Sequence, residues 1–375
     1  MTTQKVPNPP GTSPAYASGY FATVTIEELA RALRSQEKTS RELVENALSS
    51  IKRLNPQLNG FSSIDEIGAV ASADRADDEV SSGRDRGLLH GIPIAIKDII
   101  DVAGQKTTSG SALYVDRYAE KDAEAVRLLR EAGAIIVGKT VLHEFAYGAT
   151  CDRSVHGASR NPYDPTRMSG GSSGGSAVAV ASGMVPLALG TDTAGSVRVP
   201  AALCGIVGYK PAFGAIPTSG VYPLAASLDH VGFFTRMVED ARLAYEVLAK
   251  IKLPPSDPYG SALRIGWVTP GALGPIDKEI EKQSLQILLS LEINPEPVTL
   301  PGAEKLFEIF STIQASEAYS VHVDDLDRGA AIIDQEVAAR LKMGAEIRAW
   351  KYQRTPHSSS KAKYALSSIG PTNPT

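Results

Sequence analysis

The sequence predicts a layered α/β protein, and three observations carry that prediction. Helical and strand patterns alternate along most of the chain, the segment GIPIAIKDII is apolar at nearly every position, and the connections between successive elements are short. Alternation of this kind is what a sheet covered by helices produces. A strand buried on both faces also loses the alternating polar positions of a one-sided sheet. With 375 residues and 43% apolar residues, the chain is long enough to bury a large core.

The elements follow in order. TIEELARALRSQ opens with Thr25 and Glu28 in capping-box spacing, and TSRELVENALSSIKRLNP places Leu43, Ala47, Ile51 and Leu54 on one helix face. GFSSID reads as a strand and the Ala/Asp-rich stretch up to Gly83 as a helix. In GIPIAIKDII, Ile92, Ile94, Ile96 and Ile99 leave little polar surface, so Lys97 falls at the end of a buried strand. KDAEAVRLLREAG reads as a helix capped by Gly133, and AIIVGKT as a strand. SAVAVASGM (helix), VPLALGTD (strand), SVRVPAALCG (short helix) and IVGYKP (strand) follow, then VEDARLAYEVLAKI (helix) and ALRIGWVT (strand). Helical patterns persist to about Trp350, as in DKEIEKQSLQILLSL and DQEVAARLKMGAEIRAW. The expectation is a loose tail over 1–19, one catalytic domain over 20–350 and an irregular Ser/Lys/Pro-rich tail over 351–375.

Composition narrows the function. The formal net charge is −4 and no long Lys/Arg block stands out, so neither nucleic acid nor an anionic membrane is the expected partner. Cys151 and Cys204 lack metal or redox spacing and read as ordinary thiols. The start of the chain has no apolar leader, and the longest apolar stretch, Ala177 to Leu189, is broken by Ser182, Gly183 and Pro186. A soluble cytoplasmic protein acting on a small molecule is expected.

Three motifs compete for the active site. GAIIVGKT, Gly133 to Thr140, fits a phosphate-binding loop pattern, but a helix precedes it and Ala-Ile-Ile-Val belongs in a sheet. MSGGSSGGSAVAVASG, Met168 to Gly183, has the composition of a flexible linker. It also fits the GxSxG nucleophile elbow at Ser172 and at Ser173; that elbow needs a strand before it and a partner among His230, His322 and His357, and neither requirement is met by context. The third signal joins three segments: IPIAIKD supplies Lys97, GGSSGGSAVAVASG supplies Ser172 and Ser173, and LGTDTAGSVRVPAALCGIVGYKP supplies Ser196.

Together these three segments resemble the amidase signature family, in order and spacing, over roughly Tyr20 to Arg348. The resemblance implies an amidase-signature fold, one large mixed β-sheet covered by helices on both faces. It implies Ser196 as nucleophile, Ser172 as relay and Lys97 as base, with a cis peptide at Gly171–Ser172 and Ser173 hydrogen-bonded to Lys97. The chemistry fits the residues. A serine hydroxyl needs a base, and an amine whose ordinary pKa is about 10.4 serves only if burial offsets roughly 4 to 5 kcal/mol to keep it neutral at pH 7. The competing reading is that Lys97 pairs with Asp98 and does no chemistry.

In TDTAGS the N–H groups of Thr193, Ala194, Gly195 and Ser196 are the expected oxyanion hole, and Asp192 and Arg198 are expected to hold that loop. Many members of the family carry Gly where this chain has Ala194, which is tolerated if φ is negative. Phe145 and Tyr147 are candidates for an acyl pocket, with core packing as the competing role. No metal and no cofactor are expected. The expected substrate is a small amide or carbamate, as for a urethanase, and a homodimer is compatible with this reading. The alternatives are a glutamine-hydrolysing subunit of a tRNA-linked amidotransferase and a shortened, inactive relative. The family's further helices and late strand near a Thr-Pro element are not found after Trp350.

Overall fold

The computed structural model describes residues 18–254, 265–268, 271, 274–300 and 302–355. These fall into two compact units: the chain up to Lys252 together with Val321–Arg340, and Leu253–Ser320 together with the described chain from Leu341.

The first unit opens on α1 (Ile26–Arg34) and α2 (Ser40–Leu58). Thr25 and Thr39 each close a capping box, with Glu28 and Glu42, so both helices begin where Thr can satisfy an otherwise orphaned N–H. Next come β1 (Phe61–Ile64), α3 (Glu66–Ser81), β2 (Pro93–Lys97), α4 (Glu124–Glu131) and β3 (Ile135–Thr140). They are followed by α5 (Gly174–Ala181), β4 (Leu187–Thr191), α6 (Arg198–Cys204), β5 (Val207–Tyr209), β6 (Val231–Thr235) and α7 (Val238–Ala249).

The six strands form one mixed sheet in the order β1-β3-β2-β4-β6-β5. β2 runs parallel to both β3 and β4, while β1 and β6 join antiparallel at the flanks. Every residue of β2, β3 and β4 is buried. This is the two-sided burial that the unbroken Ile-rich pattern anticipates.

β6 has no counterpart among the strands expected from sequence. Its five residues, VGFFT, are all buried, so they show no polar alternation, and a run this short carries no period that separates strand from helix. It lies between β4 and β5 and its Phe233 and Phe234 are fully buried.

The second unit contains β7 (Gly266–Val268) and β8 (Glu296–Val298), a parallel pair, with α8 (Lys278–Ser290). Helix α9 (Ala303–Gly329), within the stretch read as broadly helical, starts in this unit and ends in the first. α10 (Gln335–Met343) and α11 (Ala349–Arg354) follow. Lys351–Arg354 are therefore helical, where an irregular tail from 351 is expected; α11 extends past Trp350 because no Pro or Gly interrupts AWKYQR. The rest of that tail from 356, and residues 1–17 of the N-terminal one, lie outside the described residues. No described helix is long and apolar enough to cross a membrane.

Candidate active site

Lys97 is the last residue of β2 and is completely buried. In the parallel register it stands opposite Thr140 on β3, while Ile96 stands opposite Leu189 on β4. Its Nζ therefore emerges at the carboxyl end of the parallel strands, where open α/β sheets place their ligands. Two hydroxyls receive it: Nζ lies 2.8 Å from Ser172 Oγ and 2.7 Å from Thr191 Oγ1. Burial pushes its pKa from 10.5 down to about 7, partly opposed by the Cys151 thiol and by Asp192 and Asp229. Burial also pushes the Cys151 and Cys204 thiols up, to about 11 and about 12, so both are neutral.

Asp98 does not pair with Lys97. As the neighbouring residue it points the other way, to Lys139 at 3.2 Å and to the Thr108 hydroxyl at 2.5 Å. Lys139 is the lysine of the phosphate-loop pattern, and it lies inside β3, fully buried and donating also to Thr107 Oγ1. A strand with its lysine committed to an internal ion pair cannot wrap a phosphate. The nucleophile-elbow pattern fails as well, since a loop and not a strand precedes α5. His230 turns to the carbonyls of Asp192 and Leu228, His322 pairs with Asp325, and His357 lies outside the described residues.

Met168–Gly183 is a packed turn and helix. From Ser169 to Gly183 every residue is buried, and the Gly171–Ser172 peptide is cis. A Cβ on Gly171 would stand 2.8 Å from the Cys151 nitrogen, so only glycine lets the two segments approach. The carbonyl of Ser172 accepts from the His143 N–H at 3.0 Å.

Ser173 is not a partner of Lys97. Its hydroxyl donates to the Thr191 carbonyl at 3.1 Å and accepts from the Thr191 N–H at 3.2 Å, while its own N–H donates to the Ser196 carbonyl at 3.2 Å. Ser173 thus ties the start of α5 to the end of β4. The role expected of it falls to the Thr191 side chain, which the sequence reading missed.

Ser196 precedes α6 by two residues and is 9% exposed, whereas Lys97 and Ser172 are 0% exposed; of the three, Ser196 alone reaches the surface. Among the described residues no hydrogen bond links Ser196 Oγ to Ser172 Oγ. The loop before Ser196 is organised by Asp192, which is buried. Its carboxylate accepts from the N–H of Gly195 at 2.8 Å and of Val197 at 3.2 Å, and it forms a two-point pair with Arg198 at 2.9 and 3.0 Å. Burial alone would raise the pKa of Asp192, but Arg198 and these N–H groups hold it below the usual carboxylate value.

The Gly195 N–H is therefore spent on Asp192 and is not available as the oxyanion donor expected of it. Thr193, Ala194 and Ser196 keep that expectation. Gly195 has φ +121°, a left-handed value that favours glycine, while Ala194 has no positive φ and is unstrained.

A narrow cavity adjoins these residues, lined by Thr191 and Thr193 together with Ile99, Ala146, Tyr222 and Leu224. Ala146 lines it, but its neighbours Phe145 and Tyr147 do not. Phe145 is fully buried behind the wall, stacked on Tyr222 at 6.1 Å between ring centres. Both residues pack in the core, Phe145 0% and Tyr147 9% exposed.

The family model described as Amidase matches residues 42–366. The chain belongs to the amidase signature family. A glutamyl-tRNA(Gln) amidotransferase subunit from Chromohalobacter salexigens is 38% identical over 313 residues, covering 79% of this chain and 64% of the relative. The corresponding subunit from Alkaliphilus metalliredigens is 38% identical over 296 residues, 77% of this chain and 60% of its own length. The chain thus spans less than two thirds of these curated relatives. Among solved structures, an amidase superposes with a TM-score of 0.80 at 35% identity, over 88% of this chain and 76% of that one. The six-stranded mixed sheet with its flanking helices is the amidase-signature fold.

Proposed function

We propose that this amidase-family chain hydrolyses the C–N bond of a small amide or carbamate through an acyl-Ser196 intermediate, with Ser172 as relay and Lys97 as base. The observation that carries the reading is the fully buried Lys97 amine, held 2.8 Å from Ser172 Oγ with its pKa near 7. An amine whose pKa burial has lowered this far can accept a proton near neutral pH.

In the first half-reaction Ser196 Oγ attacks the carbonyl carbon and passes its proton to Ser172, whose own proton moves to Lys97. The Ser172–Ser196 hydrogen bond this requires forms when the Ser196 side chain turns toward the relay as substrate binds, since catalytic hydrogen bonds often tighten only in the complex. The N–H groups of Thr193, Ala194 and Ser196 face the developing oxyanion, and Asp192 with Arg198 fixes their loop. The relay then runs backwards: Lys97 returns its proton through Ser172 to the leaving nitrogen as the C–N bond breaks. Water next attacks the acyl ester, giving its proton to the relay, and Ser196 recovers its proton as the acid leaves.

A second reading is favoured by the relatives named as glutamyl-tRNA(Gln) amidotransferase subunits: the same residues would hydrolyse glutamine within a complex. Purified chain assayed for ammonia or amine release from aryl amides, primary amides, carbamates and glutamine separates the two. Turnover of simple amides or carbamates by the isolated chain supports the first; release of ammonia from glutamine only with partner subunits supports the second.

A further inference from the structure

We propose that Tyr222 sets the length of acyl group this enzyme accepts, and that Asp325 on α9 locks it in that position. The proposal rests on the hydrolase reading above and adds a substrate class to it, short neutral acyl groups.

Tyr222 lines the same cavity as Thr193 and as Thr191, the partner of Lys97. Its backbone is pinned beside the catalytic strand: the Tyr222 N–H donates to the Ile99 carbonyl at 3.0 Å, and Val221 bridges to Ile100. The hydroxyl is pinned from the far side. It donates to Asp325 Oδ2 at 3.0 Å and lies 3.2 Å from the Tyr114 hydroxyl, which itself donates to Asp325 Oδ1 at 2.7 Å. Asp325 is 2% exposed and also binds His322 Nδ1 at 2.9 Å and Arg328 at 2.6 Å. The ring has Phe145 stacked on it and His322 at 5.5 Å between centres.

A ring held at its face, its backbone and its hydroxyl cannot swing aside to admit a longer chain. Burial alone would raise the pKa of Asp325, but its hydrogen bonds with Tyr114, His322 and Tyr222 hold it below the usual carboxylate value, so the carboxylate stays charged and keeps these partners. Through these bonds it fixes Tyr222, a large side chain of the cavity lining. Beside it Ile99, Ala146 and Leu224 are apolar, which suits an uncharged aliphatic group. Asp229 also borders the cavity, but its carboxylate accepts from the Thr193 hydroxyl at 2.6 Å and the Leu224 N–H at 2.9 Å.

The test measures binding of acetamide, butyramide and hexanamide by calorimetry in a Ser196→Ala background, so that it does not depend on turnover. With Tyr222 intact, affinity should stop rising beyond butyramide. With Tyr222→Ala it should continue to rise, about fourfold per added methylene. Asp325→Asn should give a partial gain for hexanamide, and Tyr222→Phe should keep more of the cut-off than Tyr222→Ala. Tyr222→Leu carries the test if the alanine variant fails to fold. The same length profile in every variant, or no amide binding in any of them, overturns the proposal. Failure of the hydrolase reading would show separately, as binding with the expected length dependence and no turnover when Ser196 is present.

Discussion

Lys97→Met should remove activity and yet stabilise the protein, with a gain that depends on pH. In the unfolded chain the amine keeps its proton up to about 10.5, whereas in the fold it releases it at about 7. Between these values the unfolded state binds the extra proton, so stability rises with pH. Integrating that difference, the buried amine costs about 4 kcal/mol at pH 7 and about 2 kcal/mol at pH 9. Methionine has no proton to lose and matches the stem in shape. The hydroxyls of Ser172 and Thr191 lose a partner in the variant, but that loss is the same at both pH values. The stability of Lys97→Met relative to the native chain should therefore be greater at pH 7 than at pH 9 by about 2 kcal/mol. Urea denaturation followed by circular dichroism at the two pH values reads this directly. An identical difference between variant and native chain at pH 7 and pH 9 would refute the claim that residue 97 is an amine neutralised by burial.

Other consequences follow from the same geometry. Ser196→Ala should abolish labelling by a fluorophosphonate, while Ser172→Ala should leave the nucleophile in place and slow labelling by about 10²- to 10⁴-fold; persistent labelling of Ser196→Ala would assign the nucleophile elsewhere. Thr191→Val takes an acceptor from the charged form of Lys97, so the acidic limb of the pH–rate profile should move to lower pH. Ser173→Ala touches only the Thr191 backbone and should leave that limb in place while costing about 1 kcal/mol in urea denaturation. Asp192→Asn removes the carboxylate shared by Gly195, Val197 and Arg198, and should cost about 2 to 3 kcal/mol in the same assay together with most of kcat.

The buried strand position of Lys97 was legible in its Ile-rich segment, but its candidacy as base, like that of Ser196 as nucleophile, came from the resemblance of three separated segments to a known family and not from the strand pattern alone. The direction of each serine was not legible. Ser172 and Ser173 are adjacent in a turn of small residues, so composition cannot say which hydroxyl faces the amine; in the fold Ser172 meets Lys97 and Ser173 meets the Thr191 backbone. Thr191 could have been found by pairing parallel strand ends, since VPLALGTD places it beside IPIAIKD. The commitment of the Gly195 N–H to Asp192 is a matter of loop conformation and carries no mark in the residues TDTAGS. Tyr222 escaped notice because its role depends on Asp325, more than a hundred positions away in the chain. β6 was missed for a related reason: strand pairing with β4 and β5, and no local pattern, makes VGFFT a strand.

The most direct measurement is an NMR titration of the Lys97 side chain, followed at the carbon next to the amine with Lys97→Met as the assignment control. The account predicts a midpoint about three pH units below that of an ordinary lysine, near 7. A midpoint above 9 would leave Lys97 charged at neutral pH and remove it as the base.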